Sequence, residues 1–189
     1  MKSFNFVPND ITQIVKTFPA DSISINLIDQ HKRLVPLQKF GEISHTFNGN
    51  NEQYLSIYAN NLNEINHNKV RKLGGLLSSF IVLHKISEVS IKFEQLASLD
   101  EISFVAFFEG LFLGGFEFDE YKDRKSAYKY KIYLDLPFTS RQELIENAYK
   151  TCFVVNQMRY LGQQPANVIN PMTLSEVCKN IADSYKLKF

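Results

Sequence analysis

The sequence predicts a layered α/β domain, a sheet flanked by helices, on three observations. Segments that alternate apolar and polar residues, the period of a half-buried strand, take turns with segments whose apolar residues recur every three or four positions, the period of a helix. Their order reads strands, helix, strand, helix, strand, helix, helix, and alternation of that kind places helices against a sheet. The composition is that of a folded chain, 44% apolar and 22% charged over 189 residues. At that length one sizeable core can bury about 70% of the unfolded surface.

The elements follow in order. Ser22 to Ile28 is a strand because Ile23, Ile25 and Leu27 alternate with polar positions. The polar break Asp29 to Arg33, followed by Leu34-Val35-Pro36-Leu37, predicts a hairpin return, and Tyr54 to Ala59 a further strand. The asparagine-rich stretch Asn48 to Asn68 brackets that strand with loops, since asparagine favours turn geometry. Lys69 to Lys85 is a helix with Val70, Leu73, Leu77, Phe80, Ile81 and His84 on one face. Gly74-Gly75 inside it costs about 1 kcal/mol per glycine relative to alanine, and the expected return is close packing of helix on sheet. Glu88 to Phe93 alternates as a strand, and Asp100 to Leu113 is a second helix with Ile102, Val105, Ala106, Glu109 and Leu113 along its face.

The mixed charges from Asp119 to Lys131 form a solvated loop leading into an edge strand, Tyr128 to Leu134. A long helix then runs from Ser140 to Leu161. It is opened by the capping box Ser140-Arg141-Gln142-Glu143 and stopped by Gly162, with Leu144, Ala148, Cys152, Val155 and Arg159 along one side. A second capping box, Thr173-Leu174-Ser175-Glu176, starts the last helix after Pro171, with Leu174, Val177, Cys178, Ile181 and Tyr185 as its apolar stripe. Little sequence follows for that stripe to pack against. It is expected to be loosely held or covered by another copy.

Charge and targeting exclude several classes of function. A net charge of +1 provides no global field for phosphates, so a nucleic-acid partner is not expected. The first ten residues lack the apolar stretch of a secretory signal. The most apolar window, Val105 to Phe116, carries Glu109 and falls short of the about 20 residues a membrane span needs. Cys152 and Cys178 form neither a CxxC nor a disulfide framework. A cytoplasmic protein with no membrane partner is the expectation.

The chemistry-bearing residues are scattered. His31, His45, His67 and His84 make no i, i+3 or i, i+4 pair, and no HExxH or GxSxG occurs. His84 is expected to be a satisfied core or rim histidine, and Cys152 a buried, inert thiol. Glu109 lies beside Phe107 and Phe108. It is either a carboxylic acid of raised pKa or a helix position facing water or capping a neighbouring turn. No catalytic, cofactor-binding or metal-binding constellation assembles.

Two segments resemble a known family. The first, Glu109-Gly110-Leu111-Phe112-Leu113-Gly114-Gly115-Phe116-Glu117-Phe118-Asp119-Glu120-Tyr121-Lys122, resembles the EGLLLGxYxFDxYK stretch that closes the amino-terminal domain of leucyl (cytosol) aminopeptidases. The second, Asn156 to Leu174, is similar to their NxARDLVNxPANxxxPxxL junction, with Pro165-Ala166-Asn167 and Pro171 its most specific part. Tyr160 stands where the junction motif has Asp, and Gly162-Gln163 where it has Val-Asn.

The resemblance implies a macro-domain-like sheet flanked by helices at 1–138, a connecting helix at 139–163, and the start of a catalytic domain at 164–189. It implies a parent that is a metal-dependent aminopeptidase, assembled as a homo-hexamer and acting on peptides. That parent would hold two divalent metals (zinc, manganese or magnesium) on one lysine, three aspartates and one glutamate, in motifs like GKGxxxDxGG and NTDAEGR. Neither motif occurs in this sequence, so no catalytic, cofactor or metal residue is carried over, and the chain itself is expected to be the non-catalytic front domain. The alternative expectation is a stand-alone macro-like module binding ADP-ribose or another nucleotide. That would require Gly74-Gly75 or Gly114-Gly115 to form a phosphate-cradling loop.

Overall fold

The fold is seen in a computed structural model, which describes residues 12–14, 18–19, 22–29, 39–47, 49–50, 52–60, 65–123, 130–135 and 139–189. Its strands are β1 (Thr12–Ile14), β2 (Ile23–Asp29), β3 (Ile43–Phe47), β4 (Gln53–Asn60), β5 (Glu88–Lys92) and β6 (Lys131–Asp135). They form one sheet in the order β1-β6-β5-β2-β4-β3. All neighbours are parallel except β3, which runs antiparallel to β4. The layered α/β prediction therefore holds.

The pleat sorts the sheet into two chemically different faces. Register sets Ile25 beside Leu55 and Ile91, Leu27 beside Ile57, and Val89 between Ile23 and Ile132. All of these are buried in one core with the helices. The same register sets Ser24 beside Tyr54 and Ser90, and Asn26 beside Ser56, on the opposite face. Because side chains alternate with period two, this division was already written in β2 and β5.

Two strand expectations change. β3 was not anticipated, and it makes the antiparallel return to β4; the segment Leu34 to Leu37, expected to do so, lies outside the described residues. The strand expected at an edge, β6, is interior, because β1 pairs on its far side through Thr12↔Ile132 and Gln13↔Tyr133. Ile132, Tyr133 and Leu134 are all buried, as in parallel strands covered on both faces. Of the charges that suggested an edge, Lys131 is exposed at its start; Lys129 lies outside the described residues.

The helices are α1 (His67–Leu83), α2 (Glu101–Gly114), α3 (Thr139–Gly162) and α4 (Pro171–Ser184). Side-chain caps start three of them. Asn66 accepts from the Lys69 N–H of α1, and Asp100 from the Ser103 N–H of α2. The Ser103 backbone bond first, and a bond from the Ser103 side chain second, hold the Asp100 carboxyl below its ordinary pKa. The cap of α4 is Asn170, not Thr173. Asn170 accepts from Met172 and Thr173, while the Thr173 hydroxyl accepts from the Asn170 N–H. Pro171 then falls in the first turn, where its missing N–H costs nothing, and this places the start three residues before the expected one. The start of α3 at Thr139 leaves Ser140 inside the helix, and the Ser140 side chain lies outside the described residues.

Three apolar faces also shift. In α2 the buried residues are Phe104, Ala106, Phe107, Phe108, Leu111 and Phe112, whereas Ile102 is exposed and Val105, Glu109 and Leu113 are half-buried. This helix is apolar nearly all round, so its periodicity does not choose a face. In α3 the inner side is Ile145, Ala148, Cys152 and Leu161, and Val155 is exposed. In α4 only Val177 and Ala182 are buried; Leu174, Cys178 and Tyr185 are exposed.

α1 and α2 pack nearly backbone to backbone. A Cβ on Gly110 would meet the Arg71 carbonyl group and come within 2.9 Å of the Gly75 nitrogen. One on Gly74 would meet Phe107 and Leu111 backbone, and one on Gly114 would meet Gly75 backbone. The glycines thus serve close packing as expected, but of helix on helix rather than helix on sheet. Gly74, Gly75 and Gly114 lie inside helices and Gly115 ends α2, so neither pair is a loop that opens a helix N-terminus to a phosphate.

Gly110→Ala is expected to destabilise the chain by about 2 kcal/mol or more in urea unfolding, since backbone must move to admit the methyl. Gly162→Ala, with open space around its Cβ position, is expected to be neutral or stabilising by up to about 1 kcal/mol.

Candidate functional site

The segment that follows α2 and the last turns of α3 meet in space, and this brings the two motif-bearing segments together. The approach is set by α2. Its inner face anchors α3, with Phe112 edge-on to Tyr149 at 5.2 Å and the Cys152 thiol 3.8 Å from the Glu109 carbonyl oxygen. Further along, the Asn156 amide donates to the Phe112 carbonyl (3.1 Å) and the Arg159 guanidinium to that of Leu113 (3.1 Å). These are C-terminal carbonyls of α2 that the helix itself leaves unpaired. Arg159 also lies over the Phe116 ring at 5.9 Å.

Beyond that point the contact becomes a polar cluster on an aromatic floor. Phe118 packs against both Tyr121 and Tyr160. The Tyr160 hydroxyl donates to Glu120 Oε2. The Gln164 amide donates to the same oxygen at 2.6 Å, and the Tyr121 hydroxyl donates to Gln164 Oε1 at 2.6 Å. Burial, with the Glu120 carboxylate beside it, pushes the Tyr160 hydroxyl up to about 12. It therefore stays a donor across the ordinary pH range.

The other singled-out residues fall into structural roles. Glu109 is an ion-pair partner: Arg71 Nε and Nη2 both donate to its Oε2, at 2.9 and 2.7 Å, across the α1–α2 contact. It neither faces open water nor caps a turn, and its half-buried carboxylate is paired across the helix contact. Cys152 is 2% exposed, and burial, with Glu109 nearby, pushes its thiol up to about 11, so it is the inert thiol expected. Cys178 is exposed. His84 is exposed and stacks on Phe80 at 4.1 Å, a rim position. His45 bonds Gln53 at 3.0 Å on β3, the outer strand of the sheet, whereas His67 starts α1 and His84 caps its end. His31 lies outside the described residues. Among the described residues no group of three His, Cys, Asp or Glu side chains is placed to hold a metal ion, and no helix is long and apolar enough to cross a membrane.

A cavity of 590 Å³ opens on the polar face of the sheet, between Ser24, Asn26, Tyr54, Ser90 and Gln95. On β2 and β4 its walls come from the first half of each strand, away from the carboxyl ends where open α/β sheets take ligands. Gln95 is already committed there, accepting from the Leu27 N–H. Sequence reasoning did not single out Glu120 or Gln164 as members of the cluster. Both sit at positions the two motifs leave open, and only their coming together in space gives them a role.

Comparison with known proteins agrees with these motifs. No family model matches the chain. It is 36% identical over 80 residues to a probable cytosol aminopeptidase of Aquifex aeolicus, covering 42% of this chain and 16% of that protein. It is 27% identical over 157 residues to one of Clostridium perfringens, covering 77% and 32%. The chain thus spans less than a third of the length of these curated relatives. Among solved structures, the bottromycin maturation enzyme BotP superposes with a TM-score of 0.73 at 13% identity, over 90% of this chain and 38% of that one. A mutant tomato leucine aminopeptidase superposes with a TM-score of 0.70 at 17% identity, over 97% and 44%. At such identities the structures establish the shared fold.

A hydroxyl whose pKa is higher folded than unfolded contributes stability that is complete below about pH 10 and is lost as pH rises toward 12. Tyr160→Phe is therefore expected to lose less stability than wild type between pH 10 and 12, read by denaturant unfolding at each pH. Thiol titration of the folded chain at pH 8 is expected to modify Cys178 rapidly and Cys152 only after denaturation.

Proposed function

We propose, from the kinship of this chain with the leucyl (cytosol) aminopeptidases, that it is the non-catalytic amino-terminal domain of a metal-dependent aminopeptidase-like protein of the cytoplasm. In this reading residues 1–138 form the front domain, 139–163 the connecting helix and 164–189 the first helix of the catalytic part. The observation that carries it is the meeting of the two motif-bearing segments at the end of α3, where a front domain would hand the chain on to a following one.

The surface beyond that point supports the reading. Met172 is 78% exposed and Phe189 71%, with Tyr185 and Leu187 also exposed; on α3, Val154 and Met158 are exposed. Apolar surface of this kind marks a contact face, and the reading assigns it to the catalytic part of the same protein. The described residues do not fit the two divalent metals (zinc, manganese or magnesium) that the resemblance implies, so the reading places those ligands outside this chain. Bond cleavage would take place there, by metal activation of water against a polarised peptide carbonyl. The front domain would support the homo-hexamer and govern access of peptides to its sites.

Two measurements test this. The purified chain, incubated with leucine p-nitroanilide and manganese or zinc, is expected to release no p-nitroaniline above the metal-only control; chelator-sensitive turnover would overturn the non-catalytic assignment. The native reading frame beyond codon 189 is expected to run on into lysine-and-aspartate metal motifs, and a stop codon there would overturn the front-domain assignment.

A further inference from the structure

We infer that Glu120 is a positioning residue that locks the segment after α2 to the end of α3 and so sets the direction in which α4 leaves the domain. One carboxylate oxygen receives two donors from α3 and its exit, the Tyr160 hydroxyl and the Gln164 amide at 2.6 Å. Tyr121, adjacent to Glu120, closes the ring by donating to the other end of the Gln164 amide. Gln164 is thereby held at both its donor and its acceptor atoms. Hydrogen bonds to a charged acceptor are about twice as strong as neutral ones, and a networked set restrains geometry more than its members separately.

The exit itself is built from local bonds. Gln163 and Gln164 N–H groups donate back to Arg159 and Leu161, Val168 and Ile169 to Pro165, and the Thr173 hydroxyl to Val168. Turn and helix are thus one continuation of α3. Among the described residues α4 has no extensive contact with another helix or strand. Its direction is set by where its base is held, and Gln164 is the base.

Glu120 and Gln164 occupy positions that the two motifs leave open, and Tyr160 stands where the junction motif has Asp. An aspartate at 160 would place a second carboxylate against Glu120, whereas tyrosine supplies a donor. The departure and the two open positions therefore form one bonded unit. The inference concerns this chain's own geometry and stands apart from the peptidase reading.

Spin labels on native Cys178, exposed on α4, and on Lys72→Cys, exposed on α1, report the direction of α4 by double electron–electron resonance; buried Cys152 stays unlabelled. The unmodified cluster is expected to give one narrow distance distribution. Glu120→Ala is expected to widen it beyond the spread between repeat preparations, while Glu120→Gln, which still offers an acceptor oxygen, keeps it narrow. Tyr160→Phe combined with Gln164→Ala is expected to reproduce the widening with native circular dichroism. An unchanged distribution in this double variant overturns the inference, and it decides alone if Glu120→Ala does not fold.

Discussion

A methyl group added between α1 and α2 would strike backbone, and most of the fold follows from that close approach. Gly74, Gly75, Gly110 and Gly114 let the two helices lie nearly backbone to backbone. With no side chains to hold them apart, the flanking residues can reach across: Arg71 pairs with Glu109, and the Ser79 hydroxyl donates to the Gly114 carbonyl. The same approach puts Ser78 and the Leu111 carbonyl within reach of the Tyr130 hydroxyl at the start of β6, and burial there raises the Tyr130 pKa. The helix pair is thereby tied to the sheet by a satisfied polar contact inside an apolar core, where an unsatisfied one would be costly.

The second layer depends on the first. With α2 pressed onto α1, it offers Phe112 to Tyr149 of α3, and its last carbonyls are capped by Asn156 and Arg159. The two resembling segments meet because the end of one helix is satisfied by the side of another. The direction in which the following polypeptide leaves is then set at a small polar cluster, beside the exposed apolar side chains of α3 and α4.

Several elements were legible because a single physical signal dominated each. Ile23, Ile25 and Leu27 could face inward only as a strand, and α1 has one apolar side. The face of α2 was not legible, since Phe104, Phe107, Phe108 and Phe112 line one side and Ile102, Val105 and Leu113 the other, and only the positions of α1 and α3 distinguish the two. β6 reads locally as an edge because a charged run leads into it, whereas pairing with β1 joins residues more than a hundred positions apart. The start of α4 was read one turn late because Thr173 belongs to the capping box as its reciprocal member, and Asn170 is the cap. At the junction, Tyr160 was visible as a departure from the motif, but its partner Glu120 lies forty residues away with nothing in the local pattern to connect them.

The sequence by itself determined the class of fold, the principal helices and four of the sheet's strands, the glycines that serve close packing, and the resemblance carried by two motifs. These are properties of short windows, where periodicity, capping chemistry and steric size act within a few residues. Only the tertiary structure decided which helix the glycines face, which side of α2 is inside, which strand is interior, and that Glu120, Tyr121, Tyr160 and Gln164 form one bonded cluster. Those outcomes depend on contacts between segments distant along the chain, and such contacts exist only once the sheet and helices have been brought together.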